Sequence, residues 1–230
     1  MARFACFFMA LAALLLAPAA RAQSGAEAAF EKFFSADSPD AAAHGIADIE
    51  KAGVAFDEAW RRLKTGRTYA AQQSGVVMLK NRTEDGVDHS YAVNVPAGYD
   101  PARRYQVRFQ LHGGVGGRPG NSPRGTGEIG PLAGVEQIYV LPYAGGDTPW
   151  WTNDQILNLN AIVDTLKRTY NVDENRVVVS GVSDGATGAY YIAMRDTTPF
   201  ASFLPLNGFI MVLTSDEIDD GFMFPNNLRN

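Results

Sequence analysis

The apolar positions of residues 24–66 recur at helical spacing. In "FSADSPDAAAHGIADIEKAG", Ser38 is placed to cap a helix whose first position is Pro39, and Gly53 marks its end. "VAFDEAWRRLKTG" then sets Phe56, Trp60 and Leu63 on one face and closes at Gly66. Short helices with a single apolar side must pack on something. The expectation is an N-terminal extension, residues 23–70, lying as a cap or pro-region against a main domain; a separate helical binding module is the alternative.

From residue 74 the period shortens to two. "SGVVMLKN" and "HSYAVNVPAGYD" read as strands, the second alternating Tyr91, Val93 and Val95, with an Asp-Gly turn signal in "EDGVD" between them. "YQVRFQLH" is the next strand and runs into the glycine-rich "GGVGGRPGNSPRGTGEIG". "EQIYVLPY" follows, apolar at its centre as a buried parallel strand should be. A helix capped by Asn153 or Asp154 places Ile156, Leu159, Val163, Leu166 and Tyr170 at its own spacing. "NRVVVSG" is a strand, "GATGAYYIAMRD" a helix with small residues at its start, and "FASFLPLNG" a strand again. Strands alternating with helices over residues 71–230 predict an α/β domain with a mostly parallel sheet covered on both faces.

The first residues change the picture of where such a domain works. Arg3, the apolar run Phe4 to Leu16, and Ala20-Arg21-Ala22 predict a secretory signal, residues 1–22, cleaved after Ala22. The run is shorter than the roughly 20 residues that span a bilayer, so no membrane association is expected after cleavage. The mature protein, about 208 residues long, would be secreted or periplasmic. Cys6, the single cysteine, leaves with the leader, so no disulfide or thiolate ligand is expected. Loss of Arg3 and Arg21 moves the net charge from −5 to about −7. An acidic chain without basic clusters argues against nucleic acid as a partner. Three scattered histidines, with no H-x-x-x-H or paired-carboxylate spacing, argue against a metal site. "GGVGGRPG" lacks the G-K-[ST] of a phosphate loop, and no G-x-G-x-x-G follows a first strand, so no cofactor is expected.

The candidate chemistry lies in Gly181-Val182-Ser183-Asp184-Gly185, where a valine-rich strand meets a helix. Glycines flank the serine because side chains there would collide with neighbouring backbone, and the turn projects the hydroxyl from the carboxyl edge of the sheet. Ser183 is the candidate nucleophile, and Gly188 would let the helix pack closely. "QLHGG" supplies the second part: backbone N–H groups of Asp184 and of Gly113 or Gly114 would face the charge of a tetrahedral intermediate. Removing one such donor costs about 3–4 kcal/mol of barrier. His112 reads as a prop for this loop. With Tyr143, Trp150 and Trp151, on or near the loop after "YVLPY", it also makes a candidate lining for an acyl or aromatic pocket.

The order strand–"LHGG", "YVLPY", Trp150-Trp151, a helix opened by "ND", "DENRVVVSGVSDG" and "FLPLNG" resembles the α/β-hydrolase superfamily over roughly residues 73–210. Within it, the likeness is to secreted esterases of the polyhydroxybutyrate depolymerase and feruloyl esterase type, and to peptidases of prolyl-oligopeptidase-like fold. The resemblance implies acyl transfer through Ser183 on a small-molecule or polymeric ester. It implies Gly113, Gly114 and Asp184 at the oxyanion hole, and an acid and a histidine downstream of the serine. The histidines of this sequence are His44, His89 and His112, all upstream of Ser183. Asp216, Asp219 and Asp220 fall too early for the acid and are expected on a surface loop. The expectation is therefore a sheet incomplete at its C-terminal side, an exposed hydrophobic edge with poor solubility, and impaired catalysis. The alternatives are a non-catalytic hydrolase-like binding protein or a prolyl-oligopeptidase-like peptidase.

Overall fold

The computed structural model describes residues 25–84, 86–117 and 136–229. The expected signal segment, Asp85 of the turn and most of the glycine-rich loop lie outside the described residues. Contacts divide the chain into two units, Met1–Thr68 and Tyr69–Asn230. No helix among the described residues is long and apolar enough to cross a membrane.

The first unit holds α1 (residues 25–35), α2 (Pro39–Lys51) and α3 (Phe56–Thr65). Ser38 caps α2 by accepting the N–H of Ala41, with Pro39 at the first helical position. Gly45 lets α2 lie against α1, since a Cβ there would come within 2.8 Å of the Phe33 backbone. Phe56, Trp60 and Leu63 share one face of α3, and the other helices of the unit leave that face uncovered.

The second unit is built on a six-stranded sheet of order β1-β2-β4-β3-β5-β6. Its strands are β1 (Gly75–Arg82), β2 (Asp88–Val95), β3 (Tyr105–Leu111), β4 (Gln137–Pro142), β5 (Val172–Val182) and β6 (Ser202–Leu206). β1–β2 and β2–β4 pair antiparallel, and the other three pairings are parallel. α4 (Asn153–Thr169) and α5 (Asp184–Arg195) join the later strands, and short 3-10 turns occupy Val115–Gly117, Ile210–Thr214 and Pro225–Leu228.

β3 alternates strictly: Tyr105, Val107, Phe109 and Leu111 are buried, while Gln106, Arg108 and Gln110 are half-buried on the other face. The buried set joins Leu159, Ile162, Val163 and Leu166 of α4 and Ala189 and Ile192 of α5 in one core. Each such large aliphatic or aromatic side chain contributes about 1.5–3 kcal/mol. The opposite face is tied by polar bonds. Arg108 Nε donates to Ser180 Oγ at 3.0 Å, and Gln106 donates to Gln137 at 3.0 Å.

Two local expectations are corrected. β5 begins at Val172, well before "NRVVVSG": Tyr105 pairs with Val172, and a register shift then carries Asp173 to Arg176 outward. Asp173 binds Asn175 N–H and Arg176 Nε there, so its polar residues conceal the strand in the sequence. The cap of α4 is Thr152, one residue earlier than expected, and its hydroxyl donates back to the Pro149 carbonyl instead of capping.

Among the described residues β6 has β5 alone as a strand neighbour, and its Leu204 and Leu206 are exposed beside Val182. An apolar edge of this kind templates association. Leu204→Lys is expected to reduce aggregation, measured by light scattering against concentration. The melting temperature should stay close to that of the parent, since exposed substitutions change stability by about 0.5 kcal/mol or less.

Candidate active site

The carboxyl ends of β3 and β5 lie side by side, with Leu111 paired to Gly181. β4 sits on one side of β3 and β5 on the other. A parallel sheet that changes direction in this way opens a crevice at the strand ends.

Ser183 stands there, between the last residue of β5 and the first of α5, with φ 56° and ψ −121°. Positive φ in a residue bearing a Cβ costs on the order of 1–3 kcal/mol and persists only when its surroundings enforce it. They do so here through the backbone. Ser183 N–H donates to the Leu206 carbonyl at 3.1 Å, and its own carbonyl accepts from Ala186 and Thr187 at 2.9 and 3.1 Å. The side chain is left exposed.

The flanking glycines are required by the same turn. A Cβ on Gly181 would run into the Gly185 carbonyl, one on Gly185 into the Leu111 carbonyl, and one on Gly188 into the Trp150 side chain.

The "HGG" loop lies directly beside the serine. A Cβ on Gly113 would fall 3.0 Å from Ser183 Cβ and 3.1 Å from the Val182 carbonyl. Gly114 has φ 67°, a conformation that glycine adopts without strain. Among the described residues, no acceptor engages the N–H of Gly113 or Gly114. Asp184 opens α5, so its N–H is one of the donors a helix leaves free in its first turn. Gly113 thus lies against Ser183, and Asp184 follows it at the start of α5.

His112 braces this loop. Its Nε2 accepts the Ala144 N–H at 3.2 Å, which leaves the proton on Nδ1 to donate to the Gly113 carbonyl at 3.0 Å. Trp150 Nε1 donates to the His112 carbonyl at 2.8 Å. The two rings meet edge to face at 5.1 Å, and Tyr143 lies 6.2 Å from His112. Trp150, expected to line a pocket, is instead fully buried, and Tyr143 is 6 % exposed. The Tyr143 hydroxyl is buried with no hydrogen-bond partner among the described residues, and burial raises its pKa. Trp151 packs partly buried against the core. These aromatic side chains support the loop from within.

Gln155, for which the sequence offered no chemical signal, carries that support further. It is fully buried and donates to the carbonyls of Tyr143 and Thr148 at 3.3 and 3.0 Å. Asn158 donates to Gln155, and Asn81 of β1 donates to Asn158. The polar ladder fixes the segment that holds His112. Uncharged polar residues on a helix face otherwise read as solvent-facing, so spacing alone could not find it.

No histidine or carboxylate among the described residues bonds to Ser183 Oγ. His89 is fully buried in β2, and His44 belongs to the helical unit. Asp196 binds Asn160 at 2.7 Å. Asp216, Glu217 and Asp219 are exposed. Asp220 pairs with Arg195, whose guanidinium holds that carboxyl below its ordinary range.

No family model matches the chain. A curated relative, the probable feruloyl esterase C of Aspergillus terreus (strain NIH 2624 / FGSC A1156), is 27% identical over 150 residues, covering 60% of this chain and 54% of the relative. The chain resembles α/β-hydrolase esterases. Its match spans about half the length of that relative. Among solved structures, a thermostable esterase gives a TM-score of 0.48 at 22% identity, over 58% of this chain and 40% of the other. A ferulic acid esterase gives 0.46 at 19% identity, over 68% and 69%. Oligopeptidase B from Trypanosoma brucei gives 0.43 at 14%, over 56% and 19%.

Proposed function

We propose that this chain carries the nucleophile and oxyanion hole of an exported serine hydrolase that cleaves carboxylic esters by acyl transfer. The observation that carries the reading is the enforced positive φ of an exposed Ser183 with Gly113 packed against it. Such strain at a sheet edge gives no packing benefit, whereas it presents a hydroxyl to a bound carbonyl.

In this reading Ser183 Oγ attacks the ester carbonyl, and the carbonyl oxygen takes up the electron pair. The N–H groups of Asp184 and of Gly113 or Gly114 stabilise that charge. Collapse of the intermediate breaks the bond to the leaving oxygen, which takes up the proton given up by Ser183 and departs as the alcohol, and water then hydrolyses the acyl-serine to the acid. The serine proton needs a base, and His112 cannot supply it because both ring nitrogens are already committed. Catalysis by this chain alone is therefore slow.

The feruloyl esterase relative supports an ester substrate. Export rests on the leader read in residues 1–22. That no histidine or carboxylate among the described residues bonds to Ser183 motivates the contrasting reading, a hydrolase-like protein that binds without reacting.

A fluorophosphonate probe separates the two. Slow labelling confined to Ser183, abolished in Ser183→Ala and mapped by peptide mass spectrometry, is the expected result. Absence of labelling in the parent chain would leave the binding reading.

A further inference from the structure

Beyond its backbone N–H, Asp184 presents a carboxylate whose position the acyl-transfer chemistry does not use. Its Oδ2 accepts the N–H of Val115 at 2.7 Å, a bond between residues 69 apart in sequence. Val115 is 1% exposed, so this amide has no water to turn to. The length is that of a charge-assisted bond.

We infer that the Asp184 carboxylate is a positioning group for the oxyanion loop, pinning Val115 to the start of α5 so that Gly113 and Gly114 stay beside Ser183. The inference rests on the acyl-transfer reading of Ser183. The loop is held at its near end by Trp150 on the His112 carbonyl. At its far end the described side-chain bond is that of Asp184 to Val115. Only two glycines lie between these anchors, and glycine is the residue with the widest backbone freedom. Releasing one anchor lets both amides turn away from the serine.

The charge itself works against the chemistry. A carboxylate at the first position of α5 suits the helix dipole, but it opposes the negative oxygen that grows at the same helix end. The acceptor atom, not the charge, is therefore what the loop needs. An asparagine keeps an acceptor oxygen and removes the charge.

The test is the rate of fluorophosphonate labelling of Ser183 in the full chain, measured against probe concentration for the parent, Asp184→Ala and Asp184→Asn. Amide hydrogen exchange at Val115 is followed by NMR in parallel. Asp184→Ala is expected to lower the limiting rate by about tenfold or more, toward the loss seen when an oxyanion donor is removed. Its half-saturating probe concentration should change little. Asp184→Asn is expected to restore the rate to within about threefold of the parent, in keeping with an acceptor role. Val115 exchange should quicken in the alanine variant and return toward the parent rate in the asparagine variant.

Parent-like labelling and exchange in Asp184→Ala would overturn the positioning role while leaving Ser183 as nucleophile. An asparagine variant as slow as alanine would overturn it too. A parent chain that never labels at Ser183 removes the acyl-transfer reading and this role together. Unchanged Val115 exchange in both variants would show that the bond does not hold the loop, whatever the labelling does.

Discussion

Alanine at Gly185 is expected to lower the thermal midpoint of the sheet unit by about 6–12 °C, given about 2–4 °C per kcal/mol for a domain of this size. The added Cβ would overlap the Leu111 carbonyl and fall 2.9 Å from the His112 carbonyl. Leu111 is fully buried in the central strand β3 and paired with Gly181 of β5, so its carbonyl cannot retreat without opening the sheet. Overpacking of this kind costs about 1–3 kcal/mol when side chains can shift. Here backbone must move, and about 3 kcal/mol is the expected loss. Gly181→Ala should behave alike, since its Cβ would meet the Gly185 carbonyl. Gly116→Ala is the control, with no atom of the described residues within 4 Å of its added Cβ. Calorimetry or circular dichroism melts of the three variants check the order. A parent-like midpoint for Gly185→Ala would mean that the elbow is looser than its geometry indicates.

This steric demand is also why the elbow is legible in the sequence. Glycine spacing around a serine, at the end of a valine run, encodes a backbone constraint, and such constraints act over a few residues. The same holds for Ser38 and Pro39 at the start of α2, and for the alternation of β3. Residues that act across the fold were harder to see. The carboxylate of Asp184 meets Val115 only because β3 and β5 are neighbours. Gln155 matters through two carbonyls of a loop that folds back over it. The aromatic side chains after β4 suggested a pocket because aromatic residues near a strand end commonly line one. Trp150 points inward instead, where its N–H finds the His112 carbonyl. The polar start of β5 was hidden because its residues bond to one another at a bulge.

Imidazole added to the buffer is expected to accelerate labelling of Ser183 by about tenfold or more, a part of the 10²–10⁴ that a positioned general base supplies. Ser183 is exposed, and no described side chain bonds to its hydroxyl, so a small base should reach it from solvent. Only the neutral ring can take the proton. The acceleration should therefore be small at low pH, rise as pH climbs through the pKa of the ring, near 6.5 for the histidine side chain, and level off above it. At fixed pH the rate should grow in proportion to imidazole concentration. A 2-methyl substituent, which crowds both nitrogens, should weaken the effect at equal basicity. Labelling that ignored imidazole and followed hydroxide alone, with no plateau, would mean that the hydroxyl is presented without room for a base beside it. That outcome would move the reading from a serine hydrolase site to a scaffold that has kept only the shape of the site.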